Sequence, residues 1–124
     1  MSFALEFHDS EVRDVVADGD VVRVRFSAAS VRDADGGRGW LASVRLEFSG
    51  ATLHGDTRHA FGKVTQGHLS HDDRDVALPA VPATWAGDLE LALRMANGTE
   101  FAVRGHALVA SLAGGAGFTP DLSC

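Results

Sequence analysis

The side chains best suited to chemistry gather in one polar region, His54, Asp56, His59, His68, His71, Asp72 and Asp73. Imidazole and carboxylate are the ordinary ligands of zinc and of non-haem iron, so a metal-dependent enzyme could be built from this region. The spacing argues otherwise. His54 and His59 are five residues apart, which suits neither one helical face nor one strand face, and His68 and His71 are three apart, which fits a loop or a helix. There is no His-x-His, no His-Glu-x-x-His and no cysteine pair, so the cupin pattern and the common zinc patterns are missing. Imidazoles scattered over a polar loop are the favoured reading, with no metal, cofactor or catalytic residue expected.

His8-Asp9-Ser10 holds the three residue types of a hydrolytic triad. Neighbours along an extended chain point in alternating directions, however, whereas a triad needs groups that converge in space. A structural role is expected instead, Asp9 or Ser10 bonding backbone groups at a corner between two strands. Asp33 and Asp35 lack the later carboxylates of a calcium loop, and Gly36-Gly37-Arg38-Gly39 and Gly114-Gly115-Ala116-Gly117 lack the Lys-Ser/Thr and the following helix of a phosphate loop. The single cysteine, Cys124, cannot form an internal disulfide. Trp40 and Trp85 each begin a strand and are expected to close the ends of a core.

The elements that must position these groups are strands. Leu89, Leu91, Leu93 and Met95 alternate with polar or small residues, as do Phe101, Val103, Ala107 and Val109, and Asn97-Gly98 lies between the two arms. A three-residue loop, Asn97-Gly98-Thr99, would pair Met95 with Phe101, Leu93 with Val103 and Leu89 with Ala107, making one face apolar. A second hairpin, Glu11 to Val16 and Val21 to Ala29, turns at Asp18-Gly19-Asp20, with Val16 expected opposite Val22 and Val12 opposite Phe26. Phe3 to Phe7 reads as a separate opening strand. Trp40 to Ser49 reads as one strand with Ala42, Val44, Leu46 and Phe48 inward. Short strands are expected near Ala51 to His54, Lys63 to Leu69 (with a bulge at Gly67) and Asp75 to Leu78. Pro79 to Pro82 forms a connector or edge, Ala113 to Gly117 a linker, and Phe118 and Leu122 tack down the tail.

No stretch shows helical periodicity, so the 124 residues are expected to form one all-β domain, 1–124, an antiparallel sandwich or small barrel of seven to eight strands. No apolar run approaches the roughly 18 residues of a membrane helix. Glu6 and Asp9 fall where a signal peptide needs an apolar core, which points to a cytoplasmic protein. A net charge of −6 with only one lysine, Lys63, and singly scattered arginines excludes the basic stripe that nucleic-acid binding needs.

Phe7-His8-Asp9-Ser10-Glu11-Val12, followed by Asp18-Gly19-Asp20 and the strand Val21 to Phe26, resembles the start of small bacterial β-rich domains of unknown function, some of them toxin-neutralising immunity proteins. The resemblance implies a non-catalytic partner-binding domain with His8 and Asp9 as signature positions. The acidic balance suits a basic protein partner, and a homodimer formed through a sheet edge is a further expectation. A barrel holding a small ligand is the alternative, beside the metal-dependent enzyme.

Overall fold

Alternating polarity closes into a barrel here because each strand hides one face. The computed structural model describes residues 2–112 and 117–120. In it the strands are β1 (Phe3–Asp18), β2 (Val21–Arg32), β3 (Arg38–Leu41), β4 (Val44–Ser49), β5 (Thr52–His54), β6 (Gly62–His71), β7 (Arg74–Val76), β8 (Ala80–Val81), β9 (Ala83–Met95), β10 (Glu100–Leu112) and β11 (Phe118–Pro120). Six of them, in the order β1-β2-β4-β10-β9-β6, form a closed antiparallel barrel, β6 returning to β1 through Glu11 with Lys63 and Val12 with Gly62. The five short strands extend its rims: β3 and β11 beyond β2, β8 on the start of β1, β7 on β6 and β5 on β10. Leu122, Cys124 and most of the expected Ala113 to Gly117 linker lie outside the described residues.

The inward face of every barrel strand is apolar except for Ser10 of β1 and Ser30 of β2. Val12, Val24, Phe26, Leu46, Phe48, Leu91, Met95, Val103 and Leu108 are all fully buried, each such side chain worth roughly 1.5–3 kcal/mol when removed from water. A six-stranded barrel is narrow enough for these chains to fill it. The same core continues through Phe3, Leu5, Val31 and Leu41 toward the β3–β11 extension, where Phe3 stacks on Phe118 at 5.4 Å.

Local registers depart from expectation wherever a strand bends. The long hairpin does have a three-residue loop, but it is Ala96-Asn97-Gly98: Met95 N–H donates to the Thr99 carbonyl at 2.8 Å and Gly98 N–H to the Met95 carbonyl at 2.9 Å. Gly98, at φ +90°, takes the left-handed position that a side chain would resist. Leu93 therefore faces Phe101 and Leu91 faces Val103. A slip of two residues keeps every side chain on its own face, so Met95 and Phe101 are still buried together. Beyond Gly105 the alternation breaks at a bulge, where β10 leaves β5 for β4. Leu108 and Ala110 turn inward there and Val109 is exposed, the reverse of the expected assignment of Ala107 and Val109.

Four further corrections have the same origin. Asp18 pairs directly with Val21, so Val16 faces Arg23 instead of Val22, and an extra residue at Arg13 restores the expected pairing of Val12 with Phe26. Trp40 to Ser49 breaks at Ala42-Ser43, with Ser43 at φ +63°, and Ala42 is exposed while Leu41 is buried. Phe3 to Val16 is a single strand running through His8-Asp9-Ser10. In β6 the irregularity falls between Val64 and Gln66, not at Gly67. Gly67 has another role: a Cβ there would lie 2.3 Å from the Cβ of Phe7, so only glycine lets β1 pass so closely.

Gly67→Ala is accordingly expected to cost about 1–3 kcal/mol or more through overpacking. Gly98→Ala meets no atom within 4 Å and should lose only about 1 kcal/mol from backbone strain. Urea denaturation of both variants checks this, and equal losses would contradict the close approach.

Candidate functional site

The pairing that buries Leu91, Leu93, Phe101 and Val103 sends Ala92 and Ala102 outward. In the sheet they form one lateral row with two histidines, His54 of β5, Ala102 of β10, Ala92 of β9 and His68 of β6. Three inter-strand steps put the two histidine backbones about 14 Å apart. A parallel row on one side carries Glu100, Arg94 and Gln66, and one on the other carries Thr52, Arg104, Glu90 and Ser70. Two short alanines among long neighbours leave a trough, an open groove of about 560 Å³ whose lining includes His54, Gln66, His68, Ala92, Arg94, Glu100 and Ala102.

The walls are ion-paired. Arg94 Nε donates to Glu100 at 2.7 Å, Arg104 Nε lies 3.2 Å from Glu90, and His68 Nε2 lies 2.8 Å from Asp75 of β7. These pairs are exposed, and each is worth at most about 1 kcal/mol. Their effect is to hold the long side chains upright beside the alanine floor.

The fold separates the other members of the sequence cluster. His59 sits in the loop before β6, its ring edge-on to Phe61 at 6.1 Å and its carbonyl accepting from the Asn97 amide at 2.9 Å. His71 Nε2 donates to the Ala86 carbonyl at 2.7 Å. Asp72 accepts the Asp88 N–H at 2.8 Å, and Asp73 occupies the β6–β7 turn at φ +64°. Asp56 is bonded by Arg58, whose side chain and then backbone N–H draw the carboxyl pKa down to about 2. Among the described residues no group of three or more His, Cys, Asp or Glu is placed to hold a metal ion. His54 and His68, which do share a groove, are too far apart for Zn–N bonds of about 2.0–2.1 Å from both.

His8-Asp9-Ser10 forms a break inside β1. Asp9 adopts φ +71° and its carboxylate meets Lys63 Nζ at 3.0 Å and His8 Nδ1 at 3.1 Å. Ser10 turns into the core, its hydroxyl donating to the Glu6 carbonyl at 2.6 Å and accepting the Ser30 N–H at 2.9 Å. The three side chains do not converge, and Ser10 has the backbone-bonding role expected of it, within one strand instead of at a corner. Sequence reasoning missed Lys63, Arg94, Glu100 and the two alanines. The outward small residues of the hairpin arms were a visible signal, but only the register shows that they align.

The Lys63 hydrogen bond is the main cause holding the Asp9 carboxyl below its ordinary value of 3.8; partial burial opposes it and His8 assists. Because the ionised form is favoured, Asp9 takes up a proton only at lower pH. Replacing the ammonium in Lys63→Met should move the midpoint up toward the ordinary value. A carboxyl-carbon NMR titration of both proteins checks this, and an unmoved midpoint would contradict the pairing.

No protein-family model, no curated protein and no solved structure matches this chain.

Proposed function

We propose that the chain is a non-catalytic interaction module of bacterial, cytoplasmic type, in the manner of an immunity protein, and that it meets a basic protein partner at the outer trough between His54 and His68. The observation that supports this most is the lateral row itself, an apolar floor of Ala92 and Ala102 with Glu100, Glu90 and Asp75 standing around it. An arginine side chain can lie along such a floor with its stem on the alanines and its guanidinium on a wall carboxylate. The net charge of −6 would draw a basic partner in before contact.

A small-ligand barrel is less well supported. Phe26, Phe48, Leu46, Leu91 and Met95 occupy the interior, and the groove of about 560 Å³ opens on the outside of the sheet, whereas a ligand-carrying barrel needs an enclosed cavity.

The test is an NMR titration with acetyl-Gly-Arg-Arg-Gly-amide at low salt. Shifts should concentrate at Ala92, Ala102, Glu100 and His68, weaken as salt rises, and fall about tenfold in affinity, or about 1.4 kcal/mol, in Ala92→Lys. Shifts spread over other faces, or equal binding of the Glu-for-Arg peptide, would overturn the reading.

A further inference from the structure

A second groove lies around the barrel, on the outer face of β6, β1, β2 and β3. It measures about 460 Å³ and is lined by Asp9, Glu11, Ala28, Trp40 and Lys63. Ala28 pairs with Glu11 across β2 and β1, and Glu11 pairs with Lys63 across β1 and β6, so three strands lay these residues in one row. Trp40 stands on β3, paired with Ser30 of β2, and is only half-buried. The Ser27 hydroxyl donates to Glu11 at 2.9 Å, and Lys63 holds Asp9 at 3.0 Å.

We propose that this groove binds a neutral saccharide, one sugar ring stacking on the Trp40 indole while Glu11, Asp9 and Lys63 exchange hydrogen bonds with its hydroxyls. An indole offers a broad apolar face with polar groups at its margin, the match for a ring that is apolar on its C–H face and hydroxylated at its rim. A few polar groups converging beside an apolar platform are the usual make-up of a small-molecule site. The charge pattern decides among ligand classes. Asp9 and Glu11 are balanced by Lys63 and Arg38, which also acts on Asp9, so an ion gains little net field. A cation on Trp40 would meet the like charges of Lys63 and Arg38 beside the two carboxylates. A hydroxyl has no such conflict, since it accepts from the ammonium and donates to a carboxylate at once. This inference concerns a different face from the trough and stands independently of it.

The full chain is titrated with methyl glucoside, methyl galactoside and methyl mannoside, with acetyl-arginine-amide as the cationic control, reading the two indole N–H signals by NMR. At least one glycoside should shift the Trp40 indole and the Lys63 amide, saturating near millimolar concentration, and leave the Trp85 indole unmoved. Trp40→Ala should abolish the response of the Lys63 amide. Because that change removes a half-buried ring, Ala28→Leu serves as the second variant, keeping Trp40 but filling the floor, and should weaken binding at least tenfold. No glycoside response at Trp40, tighter binding of the arginine probe, or unchanged affinity in Ala28→Leu would each overturn the assignment.

Discussion

One strand has to serve three neighbours. β1 runs beside β2 for most of its length, but its other edge meets β8 at the beginning and β6 in the middle. A regular strand cannot turn from one partner to the next without exposing backbone donors and acceptors to an apolar interior, where each unpaired group costs about 1–3 kcal/mol. The turn is made at Asp9, in the left-handed region, and the groups it would orphan are taken by the Ser10 hydroxyl, which bonds the Glu6 carbonyl and the Ser30 N–H together. A residue as small as serine can do this while wholly buried. Among the described residues no buried side-chain polar atom lacks a partner.

Closure follows from that bend, and the outer surfaces follow from closure. With Val12 directed inward and Glu11 outward at the β1–β6 seam, the curled sheet has one largely apolar lumen and a mostly polar exterior. Rows of outward residues then cross several strands at fixed spacing, so that side chains far apart in sequence stand beside one another. Both grooves arise in this way, each with alanine as its floor. Ala92 and Ala102 lie between imidazoles and ion pairs, and Ala28 lies between an indole and the Glu11–Lys63 pair. The exterior charges, mostly in exposed pairs, contribute little to stability and much to the shape and field that an incoming molecule meets.

Period-two polarity was plain in the sequence because burial imposes it residue by residue, and it carries the all-β reading, sandwich or small barrel. It also survives a slip of two, which is why Met95 and Phe101 share a face although their expected pairing does not form. What the sequence hides are bulges. They are one to three residues long, and their causes are remote: Asp9 is held by Lys63, and Ser10 is needed by Ser30. A polar triplet such as His8-Asp9-Ser10 therefore reads as the end of a strand when it is the pivot of one. The histidines mislead in a related way. Proximity in sequence suggested a cluster from His54 to Asp73, whereas β9 and β10 lie between His54 and His68 and set them about 14 Å apart. Trp40, read as closing a core, stands half-open beside Lys63 because the chain kinks at Ala42-Ser43.

The β1–β6 seam is where a barrel and an open sandwich differ, and backbone proton–proton contacts across it are the most direct measurement. A closed barrel predicts nuclear Overhauser effects linking Glu11 with Lys63 and Val12 with Gly62, together with slow exchange of the seam amides. Absence of both contacts, with those amides exchanging as fast as the Asp33 to Gly37 loop, would contradict closure and the placement of the groove beside it.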